Sequence, residues 1–265
     1  MFDYIKNRDG KKIFAVVDHP KRDGSFPAVL IIHGFKGFSS QRHIQGISDS
    51  LVDKGFLTLR PDLTKDPGRS YLDFSDMTYG QELRDAEDVL DYLLKLDEVD
   101  QQKIAVAGHS LAGMIAAELA AKREVIKALA ILSGVYDFKW IANKIFKKPF
   151  QRAIKDFKTK GFTTVWSKEL ETRLQIKKSF YEDVFERSSN NFTADIKCPT
   201  LIISSENDES VSQSHADKYL RTIASVDKQM EIIKGSDHNY SGESLDKVKK
   251  EVANWFVNKL NKGSP

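Results

Sequence analysis

The sequence predicts an α/β fold, a doubly wound and mostly parallel sheet with helices on both faces. Three observations carry this reading. The runs Ala28 to Ile32, Phe56 to Leu59, Ile104 to Ala107, Ala128 to Leu132 and Leu201 to Ile203 are almost continuously apolar, as strands buried on both faces are. Stretches with apolar residues three to four positions apart lie between them, the stripe of a helix resting on a sheet. With 265 residues, 40% hydrophobic and 30% charged, the chain has a globular composition and enough length to bury one large core.

In chain order, Phe2 to Val17 alternates about the turn Asn7 to Gly10 and reads as a hairpin. The first central strand follows and ends in His33-Gly34-Phe35-Lys36-Gly37, a glycine-flanked turn. After the strand at Phe56, the residues Leu83, Ala86, Val89, Leu90, Leu93 and Leu94 mark a helix. Next come the strand at Ile104, a turn carrying Ser110, and a helix marked by Met114, Ile115, Leu119 and Ala120. The last third holds the strand at Leu201, a helix from about Val211, a strand at Met230 to Ile233, and a closing helix through Val248, Val252, Trp255, Phe256 and Leu260. Such alternation of strand and helix argues a parallel sheet with ligand chemistry at the carboxyl ends of its strands.

One segment interrupts the pattern. Phe138 to Phe192 carries thirteen Lys or Arg against six Asp or Glu, and eleven of the chain's 27 aromatics, among them Trp140, Phe146, Phe150, Trp166, Phe180 and Tyr181. Its helix-forming stretches are short and broken at Pro149 and Gly161. We read 135–195 as a cap inserted after the sixth strand of a core formed by 1–134 and 196–265. Its charge has the bland explanation of a solvated outer face, and its aromatics that of a small core docked on the sheet; the functional alternative is that some of them line an acyl or aryl pocket.

Composition narrows the function classes. The net charge of +3 is too small to imply a nucleic-acid partner. The single cysteine, Cys198, has no partner for an internal disulfide and suits packing. Met1 to Lys6 lacks the basic start and long apolar core of a signal peptide, and no run approaches membrane-spanning length, so the expectation is a cytoplasmic protein without a membrane partner. No ligand cluster or phosphate-cradling loop stands out, so neither a metal nor an organic cofactor is expected.

The chemistry centres on Lys103 to Gly113. Gly108 and Ala112 flank Ser110 at two positions on either side, the small-x-Ser-x-small pattern of a nucleophile elbow between strand and helix. A serine hydroxyl is a poor nucleophile at neutral pH and needs an imidazole to take its proton and a carboxylate to hold that imidazole. Six histidines compete: His19, His33, His43, His109, His215 and His238. Only His238 lies in a polar loop, Gly235 to Tyr240, directly after a late strand. For the carboxylate, the loop after Ser205 offers Asp208, with Glu206 in reserve and Asp137 as a further alternative. Asp208 lies 30 residues before His238, about one strand-helix unit of roughly 30 residues. Ser110 and Asp208 are 98 residues apart, where two units need about 60; the surplus is roughly the size of the cap. The main-chain amides of Phe35 and Leu111 are the candidate donors to a developing oxyanion.

These residues, Gly108-His109-Ser110-Leu111-Ala112-Gly113 with His33-Gly34 before and Asp208 and His238 after, resemble the α/β-hydrolase superfamily in order and spacing across nearly the whole chain. Phe74 to Thr78 followed by Glu82 to Ala86 is similar to the bacterial cinnamoyl and feruloyl esterases. That resemblance implies a serine carboxylesterase acting on a small-molecule ester, with a cap tyrosine, here Tyr181, at the phenolic end of the substrate, and leaves a homodimer open. Two positions depart from the family pattern: Ala112 replaces a common glycine, and Gly68 and Ser70, after Arg60-Pro61-Asp62, fall one residue late. A peptidase, thioesterase or acyltransferase would use the same machinery, and a non-catalytic receptor the same scaffold.

Overall fold

The computed structural model describes residues 1–140, 150–185, 187 and 189–260. Phe146 and Pro149, singled out above, lie outside the described residues. The hairpin strands β1 (Phe2–Lys6) and β2 (Lys12–Asp18) lead into β3 (Phe26–Ile32), β4 (Leu57–Pro61), β5 (Val99–His109), β6 (Ile126–Leu132), β9 (Thr200–Ser205) and β10 (Lys228–Ile233). These form one eight-stranded sheet in the order β1-β2-β4-β3-β5-β6-β9-β10. β1 pairs antiparallel with β2, and β2 with β4; every other pairing is parallel. The antiparallel pairs are those the N-terminal hairpin makes, where alternating rather than continuous apolar residues leave one face to water.

Helices cover both faces. α1 (Arg42–Val52) and α7 (Ser244–Leu260) lie on one, where Ile44, Ile47, Leu51, Val248, Val252 and Phe256 pack against Val29, Ile31, Ala105 and Ala107. α2 (Tyr79–Leu93), α3 (Leu111–Lys122) and α6 (Gln213–Thr222) lie on the other. α2 starts where Thr78 turns extended and its hydroxyl accepts from the amide of Gln81 at 3.1 Å, satisfying one of the free donors of the first turn. α3 is buried almost throughout, which explains why its sequence is apolar all round rather than striped. No helix among the described residues is long and apolar enough to cross a membrane.

The segment between β6 and β9 holds α4 (Phe150–Lys160), an antiparallel hairpin of β7 (Phe162–Ser167) and β8 (Thr172–Lys177), and α5 (Lys178–Phe185). The hairpin is a finding beyond the short helices expected there. Its inner face is set by period-two burial of Thr163, Val165 and Ser167 on one strand and Leu174 and Ile176 on the other, the alternation a two-sided ribbon requires. Phe138 and Phe180 are fully buried and meet edge to face, 5.6 Å between ring centres, so these two of the segment's aromatics serve a docked core.

The loop after β4 is closed around Asp62. Its Oδ1 accepts from the amide of Ser39 at 2.6 Å and its Oδ2 from that of Arg69 at 2.8 Å, while the Ser70 hydroxyl donates to its main-chain carbonyl. A Cβ on Gly68 would meet the carbonyl oxygen of Thr64 at 2.4 Å. The one-residue offset of Gly68 and Ser70 is thus absorbed by a carboxylate that gathers the loop's amides.

α2 buries two acids. Burial, with Asp85 nearby, pushes the Glu82 carboxyl up to about 8 from an ordinary 4.5. The folded protein then holds a proton that the unfolded chain has released between those two values, so Glu82 weakens the fold as pH rises from about 4.5 through 8. Glu82→Gln is expected to raise the urea midpoint above that of wild type at pH 8 and to leave it nearly unchanged at pH 4.5; urea titrations at the two pH values check this.

Candidate active site

β5 runs through the centre of the sheet and stops at His109, and α3 begins at Leu111. The chain between them is the single residue Ser110, at φ 57° and ψ −120°. That conformation is costly for a residue with a side chain, about 1–3 kcal/mol, and it is held from several sides. The Ser110 amide donates to the carbonyl of Leu132 on β6 at 2.9 Å, and its carbonyl accepts from the amides of Gly113 at 3.0 Å and Val135 at 2.9 Å. The small neighbours are steric requirements. A Cβ on Gly108 would lie 2.0 Å from the carbonyl oxygen of Ala112, and one on Gly34 would lie 2.7 Å from the Cβ of Ser110.

The loops after β9 and β10 deliver the other two groups. Asp208 Oδ1 accepts from the amides of Ser210 and Val211, both at 2.8 Å, which fixes the carboxylate and leaves Oδ2 turned toward His238. His238 Nδ1 donates to Asp208 Oδ2 at 2.7 Å, and the opposite ring nitrogen, Nε2, lies 3.0 Å from Ser110 Oγ. Because the carboxylate can only accept, Nδ1 carries the proton and Nε2 of the neutral ring accepts from the serine hydroxyl. The Asp208 side chain is 1% exposed and that of His238 19%, so the acid is shielded while the base faces the opening. Thus Ser110, His238 and Asp208, far apart in the sequence, meet in one hydrogen-bonded chain.

The competing candidates lie elsewhere. Glu206 accepts from the amide of Gly235 at 2.8 Å on the exposed side of the loop, and Asp137 from that of Lys139 at 2.9 Å. His33 Nδ1 donates to the carbonyl of Gly34 at 2.9 Å and Nε2 accepts from the amide of Leu63 at 3.0 Å, a structural use of both ring nitrogens. His215 Nδ1 accepts from the amide of Tyr136 at 3.0 Å, and His19 lies 3.7 Å from Glu98. His43 and His109 belong to the site in another way, taken up below.

A cavity of about 240 Å³ opens over Ser110. Gly34, Phe35, Leu111 and Val135 line its floor and walls, and the β7–β8 hairpin brings Trp166 from β7 and Lys168 and Glu169 from its turn to it. Leu111 is the first residue of α3, in the turn whose N–H groups have no partner inside the helix, and the positive end of the helix dipole faces the serine. Phe35 is anchored by its ring, which stacks on Phe180 at 5.4 Å and tilts against Phe74 at 5.4 Å. Two contacts tie the hairpin to the turn carrying Phe35: Lys36 Nζ donates to the carbonyl of Trp166 at 2.9 Å, and Gln41 Nε2 to Glu169 Oε1 at 3.3 Å. Tyr181 is not among the residues lining this cavity; it stacks on Phe157 at 5.5 Å. The aromatic from the inserted segment that reaches the site is Trp166, which period-two alternation in Phe162–Ser167 would have placed opposite Val165. Among the described residues no group of three or more His, Cys, Asp or Glu side chains is arranged to hold a metal ion.

The sequence matches the prolyl oligopeptidase family over residues 43–263. Comparison with curated proteins gives no match. Among solved structures, Est1E from Butyrivibrio proteoclasticus with ferulic acid bound is similar, with 27% identity, 98% of this chain and 99% of that one covered, and a TM-score of 0.85. Est1E also appears in a second structure at 26% identity, with the same coverage and a TM-score of 0.80. The esterase domain of a Rhodothermus marinus protein shares the fold at 18% identity, 98% of each chain and a TM-score of 0.72. The expected α/β-hydrolase fold is therefore the fold found.

Gly108→Ala sets a methyl group against the main chain of the elbow. It is expected to destabilise the protein by about 3 kcal/mol, the upper end of the usual overpacking penalty, as read by urea unfolding.

Proposed function

This chain belongs to the prolyl oligopeptidase family and has the α/β-hydrolase fold of a serine hydrolase, and from that premise we propose that it is an esterase cutting small carboxylic esters of aryl or cinnamoyl type. The observation that carries the proposal is the chain from Asp208 to His238 to Ser110, at 2.7 and 3.0 Å, beneath a small cavity. The segment 135–195 acts as the cap over the core of 1–134 and 196–265, and the end of the β7–β8 hairpin that carries Trp166, Lys168 and Glu169 is its substrate-facing edge.

In the reaction, Ser110 Oγ attacks the ester carbonyl carbon as its proton passes to His238 Nε2. Asp208 Oδ2 holds the ring in place and stabilises the imidazolium. The carbonyl oxygen, now negative, is held by the amides of Phe35 and Leu111. His238 returns the proton to the leaving oxygen as the ester C–O bond breaks, and the acyl group stays on Ser110. A water deprotonated by the same Nε2 then attacks the acyl carbon, and as the bond from that carbon to Ser110 Oγ breaks Nε2 returns the proton to Oγ, which releases the acid and restores the serine.

Three features support a small ester. The cavity, about 240 Å³, falls below the roughly 300–1,000 Å³ of sites for drug-sized ligands. Its charged lining is Lys36 and Lys168 against Glu169, a poor host for the ammonium group of a peptide N-terminus. A structural neighbour holds ferulic acid, an aromatic acid of the size such a site would release. The family's own description keeps peptide hydrolysis as the second reading, since the same triad cuts amides.

Ser110→Ala is expected to lower ester turnover about a millionfold with folding intact, and Asp208→Asn about ten-thousandfold through loss of the correct tautomer; stopped and steady-state assays with p-nitrophenyl esters check both. A fluorophosphonate is expected to label wild type at Ser110. A substrate panel of p-nitrophenyl acyl esters, methyl ferulate and an aminoacyl amide is expected to rank the esters first, and preference for the amide would make this chain a peptidase.

A further inference from the structure

Four of the six histidines gather at this end of the sheet, and two of them are neither base nor loop anchor. His109, directly before Ser110, turns to the face opposite α3 and is 3% exposed; His43, at the start of α1, is 4% exposed. His109 Nε2 lies 2.9 Å from the main-chain carbonyl oxygen of His238, and His109 Nδ1 lies 3.2 Å from His43 Nε2. The carbonyl can only accept, so Nε2 of His109 carries its proton. Burial drives the His109 ring well below its ordinary value and so keeps it neutral, and a neutral ring with Nε2 protonated has Nδ1 as an acceptor. His43 Nε2 must then be the donor, and burial drives that ring down to about 3. Every proton in the chain is thereby assigned, running from His43 to His109 to the backbone of His238.

We propose that His109 is a positioning residue for the catalytic base: its ring, with its tautomer set by the carbonyl of His238 and its other nitrogen engaged by His43, fixes the main chain of His238 and with it the distance from His238 Nε2 to Ser110. The loop is also tied by the Asn207 amide to the Ser236 carbonyl at 2.8 Å and by Ser205 Oγ to Ser236 Oγ at 3.2 Å, while the His109 ring bonds the carbonyl of His238 itself. The His109 ring also packs on that of His238, 4.8 Å between centres, and on that of Tyr240 at 5.7 Å, and the Tyr240 hydroxyl is tied to Ser133 Oγ at 3.0 Å. The residue beside the nucleophile therefore sets the seat of the base that serves it, and the strand end that fixes Ser110 fixes His238 as well. This rests on the esterase reading of Ser110 and His238 given above.

The tautomer is read on the wild-type protein by ¹⁵N NMR with labelled histidine. His109 is expected to be neutral with Nε2 protonated from pH 5 to 8, in wild type and in His43→Leu alike, because the carbonyl of His238 still accepts from Nε2. A cationic or Nδ1-protonated His109 in wild type overturns the assignment. Turnover is then measured per site labelled by fluorophosphonate after exhaustive incubation, so that loss of folded protein does not enter. His109→Leu is expected to lower kcat per labelled site about 100-fold at nearly constant KM, the effect of misplacing a catalytic group by about 1 Å. His109→Gln, whose amide supplies one donor and one acceptor, is expected to recover most of that loss. Wild-type kcat per labelled site in His109→Leu overturns the proposal while leaving the esterase reading intact, provided Ser110→Ala is inert; a turnover-competent Ser110→Ala overturns the esterase reading itself.

Discussion

The backbone of Ser110 sits in a conformation that tolerates nothing larger than its present neighbours, and the site is arranged about that constraint. Gly108 is excluded from carrying a methyl by Ala112, and Gly34 by Ser110 itself. Gly113 is held equally close by Gly134, whose Cα would lie 2.7 Å from an added Cβ. Three separate elements, the end of β3, the start of α3 and the end of β6, therefore crowd against one residue. Main-chain hydrogen bonds of Ser110 with Leu132, Gly113 and Val135 offset the strain. The hydroxyl emerges above the sheet because every direction below it is already filled.

Charge is handled by exclusion. The buried imidazoles of His33, His43 and His109 are all driven toward the neutral form by burial, so none of them sets a positive charge beside the His238 ring. Asp208 is the carboxylate in direct contact with that ring, and two amides hold its other oxygen. On the far side of α2, Asp85 is treated differently: Asn7, Tyr71 and Gln81 all donate to it, which ties the N-terminal hairpin to the helix. One set of polar groups is tuned to gain a charge, the other to fasten two elements.

Much of this was legible in the residues, for identifiable reasons. Short continuous apolar runs rich in β-branched residues and bounded by turns fit strands covered on both faces, so β3, β4, β5, β6 and β9 were readable along with their parallel sense. The elbow was readable because its glycine and alanine spacing has a steric cause, and Asp208 and His238 because loops after strands β9 and β10 end on the same edge. The β7–β8 hairpin was missed because Thr163 and Ser167 are small polar residues on its buried side, which hides the alternation. Tyr181 enters only through the family resemblance, and in the structure its ring stacks on that of Phe157. His43 and His109 were weighed as bases and set aside. Their link to His238 runs through a main-chain carbonyl, and no side-chain pattern records such a contact.

The pairing of β6 with β9 runs without interruption from Leu129 opposite Thr200 to Leu132 opposite Ile203, although more than sixty residues intervene along the chain. The sheet is thus continuous from β6 to β9 without any strand from the segment that joins them. The register that sets Ser110 and Asp208 side by side is therefore a property of the sheet, and a connection of different length between β6 and β9 would leave it as it is.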